Sequence, residues 1–254
     1  MPHIVITGAS SGLGRALAWE YAAPGVHLTL LGRDAARLAE TALQARERGA
    51  SVECRAIDLR ARDELGDLLR ALDDARPTDL LILSAGVTSV TPAPGQWEDF
   101  AAAATLLEIN LQGTLNVLAA VAPAMRARRQ GQVALFSSIA AVAPPPDCPA
   151  YAASKAALMA YGRAVRTLWR ADGLRVSVVV PGFVETPMTA SFDSFKPFLI
   201  GPEQAARRIR RGLERDDALI AFPRRLYWLA RAQNLLPERL RARMAMAFRA
   251  YARR

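Results

Sequence analysis

Thr7-Gly8-Ala9-Ser10-Ser11-Gly12-Leu13-Gly14 follows the apolar run His3–Thr7 directly and leads into a segment in which Leu13, Leu17 and Tyr21 recur every fourth residue. A strand, a glycine-rich turn and a helix in immediate succession bring free backbone N–H groups and the positive end of a helix to one point, which suits a phosphate. The glycines at 8, 12 and 14 depart from the ordinary G-x-G-x-x-G spacing, and such a turn taken alone also serves purely structural ends. No Gly-Lys-Ser/Thr follows it, so nucleotide hydrolysis is not indicated.

On either side of the turn, apolar runs of strand length alternate with longer segments of helical period. His3–Thr7, His27–Leu31, Ser51–Ile57, Leu80–Leu83, Gln132–Phe136, Arg175–Val180 and Ala218–Phe222 are the predicted strands; between the second and third, Leu38, Thr41 and Ala45 repeat at helical spacing. Continuous apolar strands such as Val176–Val180 suit a parallel sheet covered on both faces. Right-handed crossovers through the helices then predict an α/β fold: a doubly wound, Rossmann-like parallel sheet of about seven strands with helices on both faces. With 254 residues, 52% of them apolar, the chain can bury one substantial core. A single catalytic domain over residues 1–222 is expected, with residues 223–254 as a basic, amphipathic, helical extension of it. Ala143–Pro149 and Thr186–Pro202 are long irregular stretches after strands, where open α/β sheets place their ligands.

The formal net charge of +9 is lopsided: residues 223–254 hold nine arginines against the single acid Glu238, which leaves residues 1–222 near neutral. A basic appendage without recognition chemistry beside it argues against nucleic-acid binding. The two histidines, His3 and His27, lack clustered Cys, His or carboxylate partners, so no metal site is expected. Two cysteines, no secretory leader and no apolar run of bilayer length fit a reduced cytoplasmic setting.

An NAD enzyme places a carboxylate at the end of its second strand, on the adenosine ribose. Gly32 and Arg33 stand there instead, and a guanidinium welcomes a 2′-phosphate, with Arg15 as a second positive charge, so NADP(H) is preferred over NAD(H). If Arg33 is only a solvated loop residue, the preference stays open. Tyr151 and Lys155 are spaced i, i+4 at the start of a helical segment, which puts phenol and ammonium on one face. A nearby cation favours the phenolate and makes the phenol a usable acid/base. Lys155 and Lys196 are the only lysines beside 31 arginines, so a compact ammonium stands here against the chain's habit. For an isolated pair, a surface lysine one turn from a tyrosine is the plain alternative.

With these residues in view, the chain from about His3 to Phe222 resembles the short-chain dehydrogenase/reductase (SDR) family. Thr7, Gly8, Gly12 and Gly14 match the family's Thr-Gly-x-x-x-Gly-x-Gly turn, which also contains Ser10, Ser11 and Leu13; Asp58, beside Leu59, matches its adenine-contacting Asp, and Ala85-Gly86 its Ala-Gly turn. Asn110, Ser138, Tyr151 and Lys155 match the catalytic four in order and spacing, and Pro181-Gly182-Phe183-Val184-Glu185-Thr186 resembles the segment that holds the nicotinamide carboxamide, near Val184 and Thr186. The resemblance implies an NADP-dependent oxidoreductase acting on a carbonyl or alcohol carbon: Tyr151 exchanges the proton, Ser138 holds the oxygen, Lys155 also binds the ribose, and Asn110 kinks its helix around a water that relays protons to Lys155. It further implies a homodimer or homotetramer paired through the helices that carry Asn110 and Tyr151. Leu83-Ser84 replaces the family's usual Asn-Asn before Ala-Gly, which puts the hydrogen bonds at the fourth strand in question. A non-catalytic NADP-binding sensor or scaffold is the competing class.

Leu240, Met244, Phe248 and Tyr251 predict one apolar helical stripe flanked by arginines, suited either to peripheral contact with anionic lipid or to packing on the same subunit or a partner. Phe192, Phe195, Phe198 and Leu199 predict an apolar lid, and Val142 with prolines 144–146 a stiff opposite wall. Keto-sugars, acyl-thioester ketones, lipophilic or xenobiotic carbonyls, and lipid- or envelope-polysaccharide-related intermediates all stay open as substrates.

Overall fold

A computed structural model describes residues 1–91, 96–246 and 250–252, the last three by their backbone alone. The elements run β1 (His3–Thr7), α1 (Gly12–Tyr21), β2 (His27–Gly32), α2 (Ala35–Glu47), β3 (Ser51–Ala56), α3 (Arg62–Ala75), β4 (Leu80–Leu83) and α4 (Phe100–Leu107). After a π-helical turn at Glu108–Gln112 come α5 (Gly113–Ala127), β5 (Gly131–Phe136), α6 (Pro149–Trp169) and β6 (Leu174–Pro181). Then follow α7 (Pro187–Ala190), β7 (Phe192–Ser194), α8 (Pro202–Glu214), β8 (Leu219–Phe222), α9 (Arg224–Ala232), α10 (Glu238–Met246) and β9 (Ala250–Ala252).

Seven strands form one sheet in the order β3-β2-β1-β4-β5-β6-β8, every neighbouring pair parallel. All seven predicted strands are present, with no end shifted by more than one residue. Alternation decides which helix layer each side chain meets. Ile4 and Ile6 of β1 pack in a cluster with Leu17, Leu38 and Ile209 from α1, α2 and α8, whereas Val5 packs with Leu69, Val117 and Leu158 from α3, α5 and α6. Strand order reverses between β1 and β4, which opens a crevice at their C-terminal ends.

His3 is buried at the opposite end of the sheet, its ring nitrogens 2.8 Å from the Arg76 carbonyl and 2.9 Å from Thr29 Oγ1. Burial lowers its pKa. It is a satisfied core histidine, as its isolation in sequence implies.

The extension departs from expectation. A helix does form at Glu238–Met246, but Ala250–Ala252 is a strand that pairs antiparallel with Phe192–Ser194, so no single helical stripe runs from Leu240 to Tyr251; Phe248 lies outside the described residues. The reason is tertiary: the short strand after α7 offers an open edge, and the tail backbone satisfies it. The arm also begins inside the body, because Tyr227 and Ala230 of α9 are buried against Val142, Met159 and Val178.

Candidate active site

The turn after β1 is shaped by close approach. Gly8 has φ +70°, and a Cβ there would lie 2.7 Å from Ala85 Cα; a Cβ on Gly14 would strike the Gly8 carbonyl and come 2.8 Å from Ser84 Oγ. Side chains here would fill the crevice, so glycine keeps the backbone amides accessible. The Thr7 hydroxyl accepts from Ala85 N at 3.2 Å, and the Ser84 hydroxyl donates to the Thr7 carbonyl at 2.5 Å. Ser84 thus ties β4 to β1 where the family's Asn-Asn is missing.

A cleft of about 450 Å³ opens at this point. Of the residues that the sequence assigns to a cofactor, all but Arg15 stand in its walls: Gly8, Ser10, Ser11, Gly12, Leu13, Gly14, Arg33, Asp58, Leu59, Ala85, Gly86, Tyr151, Lys155, Pro181, Gly182, Val184 and Thr186. A long groove with free amides at one end and a guanidinium beside it fits an extended dinucleotide in size and chemistry. At the β2 end, Arg33 is joined by Arg37, which the sequence reading missed although it lies four residues on; Asp34 caps α2 through Arg37 N at 3.0 Å and pairs with the Arg37 guanidinium at 3.2 Å. Arg15 corrects an expectation. It is absent from the cleft wall and turns to the Ser10 carbonyl at 2.7 Å and Glu40 at 3.4 Å, where it satisfies a carbonyl of the turn instead of facing a ligand. Asp58 is held below its ordinary value by hydrogen bonds from the Arg60 side chain.

The four catalytic candidates converge at the C-terminal ends of β4 and β5. Ser138 follows β5 and accepts from Ala140 N at 3.2 Å, which leaves its hydroxyl hydrogen for the cleft. Tyr151 and Lys155 lie one turn apart on α6, with Lys155 Nζ 5.8 Å from the Tyr151 ring centroid and donating to the Phe136 carbonyl at 3.0 Å. Burial pushes Lys155 down to about 8. It also pushes Tyr151 up to about 12, against the lowering effect of the Ser138 hydroxyl. Desolvation of the phenolate is the largest cause, so in the free site the phenol is raised, where its pairing with Lys155 predicts a depression.

Asn110 sits fully buried in the π-helical turn that offsets α4 from α5. Its Oδ1 accepts from Val87 N at 2.7 Å, and its Nδ2 donates to the Val87 carbonyl at 2.9 Å and Ser154 Oγ at 3.2 Å. The side chain therefore stands behind the cleft and clamps the segment after Gly86; the π-helical turn offsets the helix there, and the amide itself is bonded to protein partners.

A second cavity, of about 280 Å³, adjoins the first, and Ser138, Tyr151, Gly182, Met188 and Thr189 line both. Its other walls include Ile139, Pro144, Pro145, Cys148, Phe183 and Phe192, and among the described residues they contain no charged side chain. Of the lid candidates, Phe192 alone reaches this wall, while Phe195, Phe198 and Leu199 are exposed. Val142 is core behind the proline wall, not wall itself. The extension supplies the far side through Leu226, Leu229, Ala230, Gln233, Met244 and Ala245, and Asn234 Nδ2 donates to the Val142 carbonyl at 2.9 Å. Thr189 was also missed: it forms a capping box with Thr186, a Thr-x-x-Thr pattern legible in hindsight.

The short chain dehydrogenase family model matches residues 2–197, and the chain belongs to that family of NAD(P)-dependent oxidoreductases. An uncharacterized oxidoreductase of Myxococcus xanthus is 34% identical over 238 residues, covering 93% of each chain. A short-chain dehydrogenase from Sphingobium yanoikuyae in complex with NADPH superimposes with a TM-score of 0.81 at 26% identity, covering 98% of this chain and 97% of that one. NAD⁺-bound xylitol dehydrogenase superimposes with a TM-score of 0.68 at 25% identity, covering 72% and 70%. Both cofactor types thus occur among similar structures. Among the described residues, no helix is long and apolar enough to cross a membrane.

Proposed function

We propose that the protein reduces neutral, apolar ketones or aldehydes with NADPH, with Tyr151 as the proton donor. The observation that carries this is the position of Tyr151 and Ser138 in the shared wall of the glycine-turn cleft and the charge-free cavity. Nicotinamide, when bound, supplies the hydride that adds to the carbonyl carbon. Ser138 donates a hydrogen bond to the carbonyl oxygen, and Tyr151 transfers its proton there as the oxygen gains charge. A phenol held near 12 stays protonated at neutral pH, the form that reduction requires. Lys155, cationic below about 8, stabilises the phenolate left behind. Asn110 holds the segment after Gly86 in place beside Lys155.

For the cofactor, the amides around Ser10, Ser11, Gly12 and Leu13 would hold the pyrophosphate, Asp58 and Leu59 the adenine, Ala85, Gly86, Tyr151 and Lys155 the ribose side, and Pro181, Gly182, Val184 and Thr186 the carboxamide. Arg33 and Arg37 favour the 2′-phosphate. Among the substrates left open by the sequence, the predominantly apolar wall favours lipophilic carbonyls over keto-sugars, whose hydroxyls would be buried with few partners. The same proposal includes a homodimer, or a homotetramer built from it, through the open groove that Leu118, Ala122 and Tyr161 line on α5 and α6. It also includes a cytoplasmic location, with two free cysteines in support, at the inner face of a membrane.

The test is NADPH oxidation across matched neutral and anionic ketones, with wild type and Tyr151→Phe side by side. Turnover of the neutral set that Tyr151→Phe loses is expected. Equal turnover in both proteins overturns the tyrosine role, and NADPH binding without any turnover is the result a sensor or scaffold gives.

A further inference from the structure

We infer that the mouth of the charge-free cavity is a docking surface for an anionic lipid bilayer, from which a membrane-dissolved carbonyl compound enters. Of the sixteen exposed large apolar side chains among the described residues, ten fall between positions 195 and 246, in the stretches of chain that also supply Leu229 and Met244 to the cavity wall. A soluble protein has reason to hide such a concentration unless something covers it. Leu229 and Met244 join the surface to the interior: each lines the cavity, yet they are 64% and 41% exposed. Leu235, 88% exposed, stands next to Asn234, whose bond to Val142 fixes this turn against the proline wall.

Charge decides what covers the surface. From 223 to 246 the chain has six arginines and one acid, Glu238, and that acid is paired with Arg241. Arg231 stacks on the exposed Trp228, 5.8 Å from guanidinium carbon to ring centroid, but this pair lies on the face of α9 turned to α8 and β8, away from the mouth. Exposed Leu and Met in a segment of six arginines and one paired acid match an interface of acyl chains under anionic headgroups; a second copy of the same basic surface would be repelled. Lateral entry follows, because the apolar walls of the cavity continue into this rim through Leu229 and Met244. What passes through the mouth rests on the proposed reduction; the docking itself does not.

Co-sedimentation of the full chain with phosphatidylcholine vesicles, with and without phosphatidylglycerol, tests it. Binding should be about tenfold stronger to the anionic vesicles and weaken at high salt. Leu235→Ser combined with Arg243→Glu, two exposed side chains outside both cavities, should lower that binding about tenfold while leaving the melting temperature and the reduction of a small soluble ketone unchanged. No preference for anionic vesicles, undiminished binding by the double variant, or light scattering that shows this face buried between two copies each overturns the inference. Vesicle binding without NADPH turnover defeats the proposed reaction and leaves the docking standing; turnover without binding does the reverse.

Discussion

Lys155 Nζ lies 5.8 Å from the centroid of the Tyr151 ring, on the same buried side of α6, with its ammonium on the Phe136 carbonyl. Burial has opposite consequences for the two: it drives the phenol up to about 12 and the ammonium down to about 8. In the free site the donor and its supporting cation are therefore both protonated below about pH 8, and the cation is the first to lose its proton as pH rises. The kcat/KM for ketone reduction should be level at neutral pH and decline above about 8. Lys155→Arg should remove that decline, and Lys155→Met should cost roughly a hundredfold at pH 7. A pH–rate profile of Lys155→Arg that still breaks near 8 would remove Lys155 from this role.

Arg33 and Arg37 share the β2 end of the cleft. Arg33→Ala should lower kcat/KM for NADPH about ten- to a hundredfold, the worth of one charge-assisted contact to phosphate, with little effect on NADH. Steady-state kinetics with both cofactors decide this. An equal loss for the two would place Arg33 on a feature they share.

Ser84 bonds the Thr7 carbonyl at 2.5 Å across the strand reversal. Ser84→Ala should destabilise the protein by about 1 kcal/mol and lower Tm by roughly 2–4 °C. Weaker NADPH binding should accompany this, because the turn it holds carries the amides. An unchanged Tm and Kd would make the bond incidental.

Met244 belongs to the far wall of the charge-free cavity although it lies 93 residues beyond Tyr151 in sequence. Met244→Ala should enlarge that wall and raise kcat/KM for bulky ketones relative to small ones several-fold, since a few missing methylene-sized groups are worth about 1–3 kcal/mol in a hydrophobic pocket. Rates measured over a homologous ketone series test this; an unchanged ratio would mean that α10 does not close the cavity in solution.

Most strands were legible because they are near-continuous apolar runs of the kind a doubly covered parallel sheet uses, as in Val176–Val180, and the glycine-turn cleft was legible because the turn stands directly between a strand and a helix. Arg15 was not: the sequence gives its charge and its closeness to the turn, but the Ser10 carbonyl and Glu40 decide where the guanidinium points. The tail was misread for a related reason. A stripe at positions 240, 244, 248 and 251 has helical period, yet helical period is a local preference, and an open strand edge at Phe192–Ser194 supplied a stronger partner for the backbone beyond Met246.

By itself, then, the order of residues determined the sheet, the crevice at the β1–β4 reversal and most, though not all, of the side chains around it, because periodicity and close backbone approach are local requirements, whereas Arg15 and Arg37 depended on what they meet. Tertiary structure alone decided the direction of the Tyr151 shift, the lack of charged side chains among the described residues that line the second cavity, and the use of residues from 223–246 as its far wall. Each of these depends on burial by segments distant in sequence, and desolvation is a property of the assembled fold.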